Sequence, residues 1–192
     1  ETSKQTPIVL GIDEAGRGSV LGPMVYGLAY WSVDAVDRIP KSFNDSKQLT
    51  EEQREKLWKE ILQHEDIGFA LKALLPNEIS RNMLRPVPYN LNEQSHDTAM
   101  TLIRKLQANH TIQACFIDTV GNADFYKRKL EREFPNIEFT VESKADAKYA
   151  PCSAASVVAK VMRDKLMEGW KFSEPGLEIN MKFGSGYPSD PL

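Results

Sequence analysis

The first apolar run, Ile8-Val9-Leu10-Gly11-Ile12, is rich in β-branched residues and predicts a buried strand. A second, Met24-Val25-Tyr26-Gly27-Leu28-Ala29-Tyr30-Trp31, predicts another. A polar connection follows. Thr50-Glu51-Glu52-Gln53 then has the form of an N-cap with acids in the first turn. The helix it starts runs to about His64 and buries Leu57, Trp58, Ile61 and Leu62. Ile67 to Leu75 predicts a third strand. Pro76-Asn77-Glu78-Ile79-Ser80 begins an irregular or helical piece that Pro86 and Pro88 break. Asn90 to Asn109 has Leu91, Ala99, Leu102, Ile103 and Leu106 at helical spacing. Gln113 to Asp118 predicts a fourth strand, Ala123 to Phe134 a charged surface helix, and Ile137 to Val141 a fifth strand. Pro151 to about Trp170 predicts a helix with an Ala/Ser/Val face suited to close packing. Consecutive strands followed by strand–helix alternation indicate the α/β class, with a five-stranded sheet of mixed direction flanked by helices. There is no internal repeat and no linker, so residues 1–192 read as one domain.

Composition narrows the function. A chain of 192 residues can bury a real core. Its net charge of -3 argues against holding nucleic acid by bulk charge alone, though not against bringing metal ions to phosphates. Cys115 and Cys152 make no disulfide scaffold, which points to an intracellular, reducing compartment. Two cysteines and three scattered histidines form no zinc pattern. No apolar run reaches membrane-spanning length and no signal peptide is visible, so no membrane partner is expected. The chain starts at Glu1 rather than Met and stops shortly after Gly184-Ser185-Gly186-Tyr187-Pro188, as a fragment would.

The chemistry gathers at strand ends. The first strand runs into Asp13-Glu14 and then Gly16-Arg17-Gly18, which puts paired acids, backbone amides and a cation in one small space. Such a pair also serves as a turn or a helix N-cap. Asp118 closes the fourth strand and Asp146 follows the fifth, and each has the same N-cap alternative. Ligands collect at the carboxyl ends of strands in open α/β sheets. Four convergent carboxylates repel one another, which raises their pKa values. They make a poor structural feature and a good site for two divalent cations. Two ions would clamp a phosphodiester, one activating water and the other steadying the leaving oxygen. The glycine-rich loop has no Gly-Lys-Ser/Thr and is not a P-loop. Ser153 and Ser156 lie in a helical pattern and His96 reads as a packed helix residue, so a serine triad is weakly supported.

Gly11-Ile12-Asp13-Glu14-Ala15-Gly16-Arg17-Gly18, Asp45-Ser46-Lys47, Asp118-Thr119-Val120-Gly121, Lys144-Ala145-Asp146, Ser153 through Lys160, and Gly184 through Pro188 closely resemble the type 2 ribonuclease H family, ribonuclease HII. Leu21 through Tyr26 and Asn90 through Thr98 look like the catalytic polypeptide of its eukaryotic branch. The resemblance implies a ribonuclease H-like fold. It implies cleavage of RNA in RNA–DNA hybrids and 5′ to single ribonucleotides in duplex DNA, leaving a 3′-hydroxyl and a 5′-phosphate. By motif position, Asp13, Glu14, Asp118 and Asp146 are the catalytic, metal-binding acids for Mg²⁺ or Mn²⁺, two ions with substrate bound. Gly16, Arg17 and Gly18 would read the 2′-hydroxyl, the group that separates RNA from DNA. Tyr187 would lie against the junction sugar, and Asn90 would contact a phosphate. Two accessory subunits, a nuclear location, ribonucleotide excision repair and RNA primer removal in replication are implied likewise.

Lys47, Lys144, Lys148, Lys160 and Arg163 are candidates to line a nucleic-acid backbone groove, and each reads equally as a surface charge or ion-pair partner. Ser19 stands where the family usually has proline, which predicts a looser loop. The chain stops where eukaryotic members continue into a helical C-terminal extension, which predicts weak substrate binding, poor complex formation, or both. Two rival readings remain. An actin-like or sugar-kinase ATPase would need two lobes and a nucleotide site. A non-catalytic hybrid-binding module would not need all four acids.

Overall fold

The computed structural model describes residues 6–19, 21–44, 49–119, 121–171 and 186–188. Its central strand is β1 (Ile8–Ala15). β1 pairs antiparallel with β2 (Met24–Ser32) and parallel with β4 (Ile112–Asp118). β3 (Gly68–Leu74) continues antiparallel beyond β2, and β5 (Glu138–Glu142) continues parallel beyond β4. The order is β3-β2-β1-β4-β5, the mixed five-stranded sheet that the pattern predicts.

Among the described residues, five α-helices flank it: α1 (Glu51–Gln63), α2 (Pro76–Met83), α3 (Leu91–Gln107), α4 (Ala123–Glu133) and α5 (Ala150–Glu168). Local chemistry sets their starts. Thr50 and Gln53 form a reciprocal capping box on α1, and Asn90 and Asn122 cap α3 and α4. The segment after Leu75 resolves as helix, with Pro76 in its first turn where a missing N–H costs nothing. The connection after β2 contains two 3₁₀ turns, Val33–Arg38 and Lys41–Asn44.

Alternation along β1 divides the interior in two. Ile8, Leu10 and Ile12 face a core shared with Ala99, Ile103, Leu130 and Phe139. On the other side, α5 covers β1 and β2 through Ala154 and Val158, and α1 packs on α5, with Trp58 and Ile61 in the same cluster. α5 lies very close to the sheet, and glycine makes that possible. A Cβ at Gly11 would stand 2.1 Å from the Pro151 carbonyl carbon, and one at Gly27 2.3 Å from the Ala155 oxygen. The small face read in α5 is therefore a backbone-to-backbone seam. Among the described residues, no helix is long and apolar enough to cross a membrane.

Candidate active site

β1, β4 and β5 run parallel, so their carboxyl ends share one edge of the sheet. Asp13 lies near the end of β1, Asp118 ends β4, and Asp146 sits in the 3₁₀ turn Ala145–Ala147 just past β5. One carboxylate oxygen from each lies within 4.8 Å of the other two. Asp13 is 7% exposed. Burial first, and Asp118 second, raise its pKa to about 7. The Ser156 hydroxyl, the Glu14 N–H (2.7 Å from Asp13 Oδ1) and Lys160 act the other way. Asp118 is also raised, by burial and then by Asp146. The Lys144 N–H donates to Asp118 Oδ1 at 2.9 Å. That contact accompanies a left-handed Lys144, φ 62°, the one non-glycine residue with positive φ among those described. Such a conformation costs on the order of 1 kcal/mol, so the surrounding structure holds it. Three crowded, mutually repelling carboxylates are a hard-cation donor set, and a bound divalent ion would offset the repulsion.

Glu14 is placed differently. Adjacent strand residues point to opposite faces, so Glu14 faces the α3 side while Asp13 faces α5. Glu14 pairs across the strands with Tyr26, and its Oε1 lies 3.9 Å from Arg17 Nη1. Burial first, then Asp13, raise its pKa to about 8. It shares a small cavity with Tyr26, Ser95, His96 and Asp118. Glu14 thus approaches the aspartates from the other face and stands outside the tight trio.

The glycine loop follows directly. Gly16 (φ 89°) and Gly18 (φ 81°) both take left-handed conformations. The Gly16 N–H donates to Tyr187 Oη at 2.8 Å, so this amide is already engaged. Arg17 turns away to α3, donating to Ser95 Oγ at 2.8 Å and to Asn92 Oδ1. A Cβ at Gly18 would meet nothing within 4 Å, so the space beside Gly18 is open. The loop is not slackened by Ser19. Its hydroxyl donates to the Gly16 oxygen at 2.7 Å, and its N–H reaches the same oxygen at 3.4 Å. A side-chain bond here closes the turn that proline would otherwise restrict.

Arg163 departs from the sequence reading. It is 2% exposed and lines no groove. Its Nε donates to the Pro23 oxygen at 3.3 Å and its Nη2 to the Leu21 oxygen at 3.2 Å. Its guanidinium also lies 4.7 Å from the centre of the Tyr187 ring. The Leu21 N–H donates to the Gly186 oxygen at 3.2 Å, completing the link between residues 186–188 and the glycine loop.

Other candidates fall out as follows. Asn90 is exposed, and its Oδ1 accepts the Glu93 N–H at 3.0 Å as the cap of α3. Lys148 is ion-paired with Glu142 at 2.5 Å. His96 stacks on Tyr126, ring centres 3.7 Å apart. Burial, then Lys129, hold its pKa down at about 4, in keeping with a packed neutral imidazole. Asp45, Ser46, Lys47, Val120, Gly184 and Ser185 lie outside the described residues. The sequence reading assigned no role to Tyr26, Asn92, Ser95 or Ser156. The i, i+3 spacing of Asn92 and Ser95 on one helix face was the available signal.

Comparison with known proteins gives a consistent result. A family model described as ribonuclease HII matches residues 10–192. The A-subunit of ribonuclease H2 from Mus musculus is 47% identical over 188 residues, covering 96% of this chain and 62% of that protein. The Homo sapiens protein of the same name is 46% identical over 190 residues, covering 98% and 64%. The chain therefore spans less than two thirds of the length of these relatives. The crystal structure of ribonuclease H2 from Pyrococcus horikoshii OT3 superposes with a TM-score of 0.76 at 33% identity, covering 96% of this chain and 82% of that one.

Proposed function

The chain belongs to the ribonuclease HII family, and from that premise we propose that it is the catalytic domain of a metal-dependent ribonuclease H. It hydrolyses the RNA strand of RNA–DNA hybrids and cuts 5′ to single ribonucleotides in duplex DNA, leaving a 3′-hydroxyl and a 5′-phosphate. The observation that carries this reading is the trio Asp13, Asp118 and Asp146 at one sheet edge, beside a glycine loop that is open around Gly18.

Asp13, Asp118 and Asp146 would hold Mg²⁺ or Mn²⁺, two ions when substrate is present, with Glu14 joining from the other face. When bound, such ions supply an activated water for in-line attack and neutralise charge on the leaving oxygen. The chain's own residues do the rest. The Lys144 N–H fixes one Asp118 oxygen, so the carboxylate is oriented before any ligand arrives. Arg17, anchored on Ser95 and Asn92, ties the glycine loop to α3 and leaves its backbone to read the 2′-hydroxyl. Tyr187, backed by Arg163, presents its ring to the junction sugar while its hydroxyl holds Gly16. Asn90, at the exposed start of α3, contacts a phosphate near the cut.

The relatives are each named as one component of ribonuclease H2, which supports a multi-subunit enzyme. Two accessory subunits and a nuclear role in ribonucleotide removal fit this reading. The test is Mg²⁺-dependent cleavage of a DNA duplex carrying one ribonucleotide, with the Asp118→Asn variant alongside. A cut on the 5′ side that needs metal and disappears in the variant supports the proposal. Hybrid binding without any cut, with accessory subunits supplied, would turn it toward a binding module.

A further inference from the structure

The connection between α2 and α3 carries a surface that the proposed site does not use. Leu84 is 83% exposed and Val87 81%, and Met83 beside them is exposed as well. α2, which leads in, has no fully buried residue. Two large apolar side chains are thus held in water with no part in either core. Their backbone, in contrast, is firmly held. The Leu84 N–H donates to the Ser80 oxygen at 3.0 Å and the Tyr89 N–H to the Asn82 oxygen at 3.1 Å. The buried Gln94 clasps both sides of the loop's base, accepting from Asn82 Nδ2 at 3.1 Å and donating to the Tyr89 oxygen at 2.8 Å. Pro86 and Pro88 narrow the remaining freedom.

Charge says what this tip suits. From Ile79 to Asn92 the sequence holds Arg81 and Arg85 and no acid, in a chain of net charge -3. A rigid tip with apolar residues between and beside two arginines matches a polyanion whose minor groove admits apolar wedges at base steps. Position adds to this. The same segment runs on into Asn92, whose side chain accepts from Arg17 of the glycine loop. The tip therefore leads along the chain into a residue that holds the loop assigned to the ribose.

We propose that residues 81–88 form a second nucleic-acid contact. Leu84 and Val87 pack into the minor groove next to the junction, and Arg81 and Arg85 take flanking phosphates. The inference rests on the substrate reading given above, and the experiment separates the two. Two double variants are made in the intact enzyme, Leu84→Ser with Val87→Ser and Arg81→Ser with Arg85→Ser. All four positions are exposed, so thermal melts should match wild type. The substrate is a duplex with one ribonucleotide. The apolar variant is expected to raise KM about tenfold, with the single-turnover rate at saturation unchanged. The arginine variant is expected to lower the slope of log affinity against log salt by about 2, near one per lost phosphate contact. If wild type itself fails to cut, the ribonuclease reading falls. If wild type cuts and both variants bind duplex as it does, the loop contact alone falls. Unchanged duplex affinity with lost accessory-subunit binding overturns the contact in favour of a protein-facing surface.

Discussion

Asp13 and Glu14 are bonded neighbours, yet they look into different halves of the molecule. Asp13 faces the α5 seam, where small residues and the absent side chains of Gly11 and Gly27 bring helix and strand backbones into contact. Glu14 faces a polar assembly of Tyr26, Arg17 and Ser95. The first environment is tightly packed, which suits fixing carboxylates against their own repulsion. The second joins the acid to the loop assigned to ribose. A single peptide step in an extended strand thus links the proposed metal site to the proposed substrate reader, because consecutive side chains must point to opposite faces.

The comparison can be tested most severely at Asp118, which touches both sides. Asp118→Asn should lower single-turnover cleavage by more than about 100-fold, since outer partners of metal ligands alone reach that range. Retained activity would remove Asp118 from the site. On the Asp13 side, acidity and stability are linked. Folded Asp13 has a pKa raised to about 7 from 3.8, and Glu14 about 8 from 4.5. Between those limits the native state binds more protons than the unfolded chain, so stability without metal falls as pH rises from about 4 to about 8. Melting temperature in chelator should drop across that window and recover with Mg²⁺. Asp13→Asn should flatten the drop, and an unchanged pH profile in that variant would show that Asp13 does not carry it.

The seam itself is probed by Gly11→Ala, whose new methyl would meet the Pro151 backbone. We expect a loss of about 1–3 kcal/mol by denaturant titration. A neutral result would mean that α5 can retreat from the sheet. The smallest effect belongs to the loop. Tyr187→Phe removes the acceptor for the Gly16 N–H and should reduce cleavage efficiency about 3- to 10-fold. The loss should appear in discrimination between ribose and deoxyribose rather than in the melt. Equal loss on both sugars would place the tyrosine in general binding.

Much of this was legible from local pattern. β1 announced itself by apolar, β-branched residues, and Asp13, Asp118 and Asp146 by their positions at or just past strand ends. A parallel arrangement of those strands then required one shared edge. The helix start at Asn90 was legible from the spacing that follows it, and its phosphate contact came only from the resemblance, whereas its acceptance of the Glu93 N–H was not foreseen. Arg163 misled the sequence reading because an arginine ordinarily keeps its charge in water. Its burial follows from two carbonyls about 140 residues away, Leu21 and Pro23. Lys144 gave no sign of its left-handed backbone, which answers to Asp118 on another strand.

The sequence by itself determined the strands, the cap of α1 and the family, and it proposed the set of acids, since each of these rests on short stretches read one at a time along the chain. Tertiary structure alone decided which acids form the tight trio, that Arg163 backs Tyr187, and that Tyr187 holds Gly16 across 171 residues. Periodicity reports which face of an element seeks cover. Which distant segment supplies that cover, and with what hydrogen bonds, is settled only when the elements pack.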